Sequence, residues 1–225
     1  MIRRIALLVA LLVPLAPQAQ PAADDVNAVL LRVVREVDRS EPGPDAEWTE
    51  AATLDELLAG YRVRTGVNSL TLVQFADDTK LVVRERSLLV LRGQMQNGRI
   101  AEREVEVTEG NIAFTVEKRP EEEFRFTSPT SVASIRGTLG GFAVTDDGTT
   151  YLVITEDGPA DFSNTISGQS VIVNAGQTGI SRPDGTIEVR DSTADDLLFA
   201  DDGLPEGRSR ILVVPGQDED GNPRT

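Results

Sequence analysis

Turn-forming residue pairs recur about every ten positions from Tyr61 onward, and this spacing limits the fold more than any other feature. Asn-Gly and Asp-Gly pairs favour the tight turns that join antiparallel strands. The turn pairs are Asp77-Asp78, Asn97-Gly98, Glu109-Gly110, Ser128-Pro129, Asp147-Gly148, Asp157-Gly158, Ala175-Gly176 and Asp184-Gly185. A chain that turns this often has no room for long helices, so the spacing predicts an all-β fold.

Short alternating runs lie between these turns. Phe124 and Phe126 alternate with charged or polar residues, and so do Ile187 and Val189. Because successive side chains of a strand point to opposite faces, such runs have one buried face. Short strands at even spacing are typical of a sandwich or a solenoid. No convincing repeat is present, and we predict short stacked strands that are β-solenoid-like or form a β-sandwich.

Three segments need separate interpretation. In TLDELLAG, Thr53 and Glu56 match a capping box and Gly60 can end the turn, which predicts one short helical turn near the N-terminal side. Residues 26–37 have six apolar residues at helical spacing, but all of the six except Leu30 are valine. Valine is branched at Cβ and favours strands, so we interpret this segment as strand. Residues 192–203 can hold one further helical turn.

The composition excludes several classes of site. A formal charge of −15 argues against binding to nucleic acid or to anionic lipid, since both need basic patches. The chain has no cysteine and no histidine, which rules out disulfides, thiolate nucleophiles and a Ser-His-Asp triad within this chain. The acidic residues of the C-terminal tail are not followed by glycine at the sixth position and glutamate at the twelfth, which an EF-hand calcium loop needs. We therefore expect no metal and no cofactor, while chemistry by paired carboxylates stays open.

The amino terminus has the features of an export signal. Two arginines precede a nine-residue apolar run, Ile5 to Val13, which is shorter than the roughly 20 residues that span a bilayer. We expect cleavage near residue 20, a periplasmic or secreted mature protein, and no membrane insertion after cleavage. The predicted parts are a signal peptide at 1–20, an all-β domain at 21–190 and a partly disordered C-terminal extension at 191–225.

Arg136 stands out in the run SPTSVASIRGTLGGFAV, where it directly precedes Gly137. Glycine suits a bulge or a close backbone approach, which can leave carbonyl groups without strand partners. A guanidinium can donate hydrogen bonds to several such carbonyls at once. We interpret Arg136 as a structural peg of this kind, with contact to a partner as the alternative and catalysis as the weakest one.

This run belongs to a series of segments that resembles the FecR domain family of bacterial envelopes. The resemblance extends from about Val29 to Gln177 and includes LLAGYRVRTGVNSLTLVQF, TEGNIAFTV and the closing Ala175-Gly176-Gln177. SPTSVASIRGTLGGFAV is its most specific piece. The family motif positions, to which we assign a structural or partner-contact role, are Trp48, Arg64, Thr65, Gly66, Arg136, Gly137 and Thr138.

The resemblance implies an extracytoplasmic all-β domain without catalytic residues. In regulators of this family, the domain relays the state of a receptor to a sigma factor through a cytoplasmic arm, which we expect this chain to lack. We therefore expect a non-catalytic module that binds an envelope protein or a cell-wall component. One alternative is a periplasmic component of a sigma/anti-sigma signalling system, and a second is a carboxylate-based enzyme that acts on envelope polysaccharide.

Overall fold

The computed structural model describes residues 26–96, 99–119 and 123–200, which form eighteen strands and one helix. These elements are β1 (Val26–Val34), β2 (Val37–Ser40), β3 (Trp48–Glu50), β4 (Glu56–Leu58), β5 (Arg62–Thr65), β6 (Leu70–Phe75), β7 (Lys80–Val83), β8 (Leu88–Leu91), β9 (Gln94–Gln96), β10 (Arg99–Val116), β11 (Phe124–Thr127), β12 (Ser131–Ile135), β13 (Thr138–Val144), β14 (Thr150–Asp157), β15 (Ala160–Asn164), β16 (Ser170–Val173), β17 (Gln177–Ser181), β18 (Ile187–Asp191) and α1 (Ala194–Ala200). The all-β prediction is confirmed, and so is the strand interpretation of residues 26–37.

Two ladders of strands share the long strand β10. Ladder A has the order β4-β1-β6-β7-β10-β13-β14-β17-β18. Ladder B has the order β3-β2-β5-β8-β10-β11-β12-β15-β16. All pairings within the two ladders are antiparallel except the parallel pair β10–β11. Residues 99–102 of β10 pair with β9, residues 103–109 lie in ladder B and residues 110–116 lie in ladder A, so the strand joins the two ladders.

The chain passes from one ladder to the other at short corners, which form two series. The N-terminal series comprises residues 35–36, 66–69, 84–87 and the bend of β10 at Glu109–Gly110. The C-terminal series comprises residues 117–119 after β10, residues 136–137, residues 158–159 and residues 174–176. β13 spans the distance between the series, because Thr138 follows a C-terminal corner and Val144 pairs with Gly110. The two series therefore lie at opposite ends of the domain.

Corners of one series stack on each other through backbone hydrogen bonds. The amide of Gly66 donates to the carbonyl of Glu36 (2.8 Å), and the amide of Arg86 donates to the carbonyl of Gly66 (3.2 Å). Such stacking of successive turns is solenoid-like, whereas two ladders with a common core are the mark of a sandwich. The fold combines the two arrangements that the sequence left open.

Phenylalanine side chains from both ladders fill the core between them. Phe126 of ladder B stacks on Phe114 (ring centroids 4.7 Å apart) and on Phe142 (5.7 Å), which belong to ladder A. Phe75 and Phe124 make an edge contact across the same gap at 5.2 Å. Burying each of these side chains contributes roughly 1.5–3 kcal/mol, so the rings hold the two ladders together.

Buried polar contacts lie at each end of this core. At the C-terminal-corner end, Asp77 of the β6–β7 turn pairs with Arg103 of β10, and both side chains are buried. At the opposite end, the hydroxyl of Thr130 lies 3.2 Å from that of Ser131 and 3.2 Å from that of Thr150. Unpaired buried polar groups are costly, and these side chains avoid that cost by pairing with each other inside the protein.

The predicted helical turn in TLDELLAG is wrong. This segment has a turn at Thr53-Leu54 followed by strand β4, and Leu54 has a φ of 73°, which an α-helix does not allow. The amide of Leu54 donates to the carbonyl of Leu30 (2.7 Å), and the buried Leu57 joins the core. Pairing with β1 thus overrides the local capping pattern.

The helical turn predicted within residues 192–203 is confirmed as α1, which packs on the outer face of ladder A. Phe199 lies directly over Gly141 of β13, where a Cβ atom would come within 2.4 Å of the ring. Asp196 accepts hydrogen bonds from Arg190 (2.5 and 3.1 Å) and from the amide of Thr193 (2.7 Å). The Arg190 guanidinium lowers the pKa of Asp196 to about 2. This carboxylate therefore holds the start of α1 to β18.

Candidate functional site

The motif Arg64-Thr65-Gly66 is a corner of the N-terminal series. The buried hydroxyl of Thr65 donates to the carbonyl of Arg84 (2.5 Å) and accepts from the amide of Ser87 (3.0 Å), both in the next corner. Gly66 lies against the preceding corner, where a Cβ atom would come within 2.8 Å of the Cβ of Glu36. Thr65 and Gly66 therefore fasten this corner to its two neighbours.

The motif Arg136-Gly137-Thr138 has the same organisation in the C-terminal series. The hydroxyl of Thr138 donates to the carbonyl of Glu156, which lies beside the next corner. Gly137 has a φ of 100°, and a Cβ atom there would come within 2.6 Å of the Cα of Lys118 in the preceding corner. Both threonine hydroxyls are committed to backbone carbonyls, so neither is placed to act as a nucleophile.

Arg136 does not donate to backbone carbonyls, and the peg interpretation is wrong in this respect. Its side chain is 70% exposed, and its guanidinium contacts the carboxylate of Glu123 at 3.4 Å. Glu123 accepts a closer hydrogen bond from Arg125 (3.0 Å). The strand alternation does place Arg136 on the outside, where its guanidinium contacts Glu123 and no carbonyl. The structural work of the corner falls to Gly137 and Thr138.

Trp48 and two arginines form a stacked cluster on the outer face of ladder B. The guanidinium of Arg62 lies 5.0 Å from the centre of the Trp48 ring, and that of Arg64 lies 4.4 Å from it. Arg62 and Arg64 are two residues apart on β5, so their side chains leave the same face of the strand. Trp48 reaches them from β3, across the intervening strand β2. We call Trp48, Arg62 and Arg64 the Trp48 cluster.

Hydrogen bonds to β2 and to the β2–β3 loop fix the two arginines of the Trp48 cluster. Nε of Arg64 donates to the carboxylate of Asp38 (2.9 Å). Nη2 of Arg62 donates to the hydroxyl of Ser40 (2.8 Å) and to the carbonyl of Ala46 (3.2 Å). The cluster is thus a pre-organised surface in which an aromatic ring lies among oriented guanidinium groups. Trp and Arg are the residue types that contribute most to protein–protein binding when an interface covers them.

The predicted motif residues do not converge on one site. Trp48 and Arg64 meet in the Trp48 cluster, whereas Arg136 lies beyond the intervening strands β8, β10 and β11 of ladder B. Arg62 was missing from the predicted set. The alternation Arg62-Val63-Arg64 is the signal that could have identified it, since it places both arginines on one face.

Searches of the described residues for metal and membrane sites give no candidates. Among residues 26–96, 99–119 and 123–200, no group of three or more acidic side chains is arranged to hold a metal ion. None of the helical structure in the same ranges is long and apolar enough to cross a membrane.

Comparison with known proteins gives one family and one group of solved structures. Residues 61–161 match the family model described as FecR protein. Two crystal structures of a "putative anti-sigma factor" from Parabacteroides distasonis ATCC 8503 share 13% sequence identity with this chain, with TM-scores of 0.51 and 0.52. Each comparison covers 61% of this chain and 62% of the Parabacteroides chain, and at this identity it supports the fold alone. No curated protein matches the sequence. The match covers the corners at Gly66 and Gly137 and most strands of both ladders, and it identifies residues 61–161 as a FecR domain.

Proposed function

We propose that this protein is a non-catalytic, extracytoplasmic FecR-domain module that binds a protein partner through the Trp48 cluster. The observation that carries the proposal is that the residues of the family motifs have two different roles. Thr65, Gly66, Gly137 and Thr138 are used to build corners, whereas the Trp48 cluster is displayed on the surface. Its guanidinium groups offer hydrogen-bond donors beside an aromatic face, an arrangement suited to a protein surface with carboxylate or carbonyl groups.

The partner belongs to a signalling system in this proposal. Support comes from the FecR domain itself and from the fold shared with the Parabacteroides protein, whose description names an anti-sigma factor. An envelope protein is preferred over a cell-wall polymer because protein ligands supply the carbonyl and carboxylate groups that arginine recognises best. The apolar run at the amino terminus supports export to the periplasm or beyond.

Site-specific crosslinking in intact cells of the native host tests this proposal. A photoreactive residue replaces Glu50, which is exposed on β3 and shares the face of Trp48, and a second version carries it at the exposed Leu198 of α1. We expect a discrete protein adduct from position 50 and none from position 198. The substitution Trp48→Ala should remove the adduct without lowering the amount of folded protein. Equal adducts at both positions, or an adduct that survives Trp48→Ala, would rule out the Trp48 cluster as the contact.

A further inference from the structure

The segment 162–181 contains no charged residue, although 26% of the chain is charged. Twenty residues at that frequency would carry about five charges. The segment runs from β15 through β16 to β17, and β16 (Ser170–Val173) lies at its centre. It is the longest uncharged stretch in the described part of the chain. Where such a stretch forms the border of a sheet, no charged side chain hinders pairing with another chain.

Strand β16 is the terminal strand of ladder B and has one free edge. It pairs with β15 on one side, and no other backbone hydrogen bond to Val171, Ile172 or Val173 occurs within the described residues. Three other strands, β3, β4 and β18, also end a ladder, and each of them carries at least one acidic residue. Charge on a terminal strand is a common protection against unwanted pairing with another chain. Of these four terminal strands, β16 is the one without it.

The side chains around this edge are apolar, acidic or, at Arg182, already paired with a carboxylate, since Nη2 of Arg182 donates to Glu188 (2.6 Å). Ile172 is 50% exposed on the outer face, and Ile166 of the β15–β16 turn is 58% exposed. Asp161 is the cross-strand neighbour of Ile172, and it forms no ion pair with any described residue. Asp184 is exposed in the nearby β17–β18 turn. A partner strand at this edge would therefore meet free backbone groups, an apolar side chain and an acidic border.

We infer that β16 accepts an extended segment of a partner protein by strand addition, and that this segment has apolar side chains at alternate positions and basic residues at its flanks. Backbone hydrogen bonds provide the binding in this mode and alternate side chains provide its selectivity. Ile172 would pack against an apolar side chain, while Asp161 and Asp184 would attract the basic flanks. The inference rests on the proposed function of binding a protein, but it concerns a surface separate from the Trp48 cluster.

A second copy of this chain is a poorer occupant of the same edge. Each copy carries a formal charge of −15 and would bring its own Asp161 to the contact. In addition, a four-residue strand offers far less area than the roughly 1,200–2,000 Å² that stable interfaces bury. Charge and area together favour a basic segment of a partner protein, which also contacts this protein at other surfaces.

Peptide binding to the full chain tests the inference directly. The probe is a peptide of three Thr-Val repeats with two lysines at each end, and binding is followed by amide hydrogen exchange of the protein. We expect the amides of β16 to become protected. A peptide with glutamates in place of the lysines should bind at least about tenfold more weakly, because its flanks repel the acidic border. Methylation of alternate peptide nitrogens on the pairing side should abolish binding, since it removes the donors.

Two matched variants separate this edge from general charge effects. Ile172→Lys places a positive charge on the edge and should weaken binding of the lysine-flanked peptide at least about tenfold. Leu198→Lys adds the same charge at an exposed apolar position of α1, on the outer face of ladder A and away from β16, and should leave binding within about twofold. Equal binding by wild type and Ile172→Lys would overturn the inference, as would protection confined to other strands. A dimer in sedimentation that Ile172→Lys dissociates would also overturn it, in favour of a second copy. Failure of the crosslink at position 50 bears on the Trp48 cluster alone.

Discussion

The corners at Gly66 and Gly137 use the same residue types in different ways, and their comparison shows what the family motifs do. In each corner a threonine bonds to the next corner, a glycine lies against the preceding one, and an arginine points outward. Gly137 has a positive φ, whereas Gly66 does not. Arg64 is held by Asp38 and Trp48, whereas Arg136 has one long contact to Glu123. The threonine and the glycine therefore connect neighbouring corners in both places, whereas the two arginines differ in their surface contacts.

Alanine in place of the two glycines should give the largest difference between the corners. At Gly137, alanine needs a positive φ and collides with both Cα and Cβ of Lys118, so we expect a loss of about 2–4 kcal/mol. At Gly66 the collision is with the Glu36 side chain, part of which can move, and we expect about 1–2 kcal/mol. Denaturant unfolding followed by circular dichroism measures both. A greater loss for Gly66→Ala would contradict the assigned backbone geometry.

The second comparison concerns the two threonine hydroxyls. Thr65→Val leaves the buried amide of Ser87 and the carbonyl of Arg84 without this partner, which should cost about 1–3 kcal/mol. Thr138→Val affects a carbonyl, and carbonyls tolerate lost partners better than amides do, so about 1 kcal/mol is expected. Serine at each position keeps the hydroxyl and serves as the matched control. A greater loss for serine than for valine would show that packing of the methyl group, not hydrogen bonding, stabilises the corner.

The sequence was sufficient to predict most strands and the close backbone approach at Gly137. It was not sufficient to predict which strands pair or which groups a surface side chain contacts. Alternation located Phe124 and Phe126 in the core, and the motif predicted a close backbone approach at Gly137, where Lys118 lies against the backbone. The segment after Thr53 was misread because its strand depends on pairing with β1, a contact that local propensity does not encode. For Arg136, alternation predicted the correct side of the strand. It could not predict that the guanidinium contacts the carboxylate of Glu123 and no backbone carbonyl.

The arginines themselves should have smaller effects on stability. Arg64→Ala removes an ion pair to Asp38 and a cation–π contact to Trp48, so we expect a loss of about 0.5–1.5 kcal/mol. Arg136→Ala removes one exposed ion pair and should cost less than about 0.5 kcal/mol. Unfolding midpoints of both variants beside wild type test the ranking. A large loss for Arg136→Ala would restore the structural peg interpretation of that residue.

The smallest expected effect is a pH dependence confined to the C-terminal corner. Burial by itself raises the pKa of Glu123, but the hydrogen bonds from Arg125, and then those from Arg136, bring it below its ordinary value of 4.5. A carboxyl whose pKa is lowered on folding contributes stability above its unfolded pKa, and this contribution is lost as the pH falls through the folded value. Arg136→Ala should therefore raise the pKa of Glu123 slightly, and Arg125→Ala should raise it more. Carbon-detected NMR titration of the Glu123 carboxyl measures both shifts.

The stability difference between wild type and Arg136→Ala should also shrink below about pH 4, because protonated Glu123 no longer attracts the guanidinium. A difference that stays constant down to acid pH would show that the Arg136 side chain contributes through packing and not through its charge.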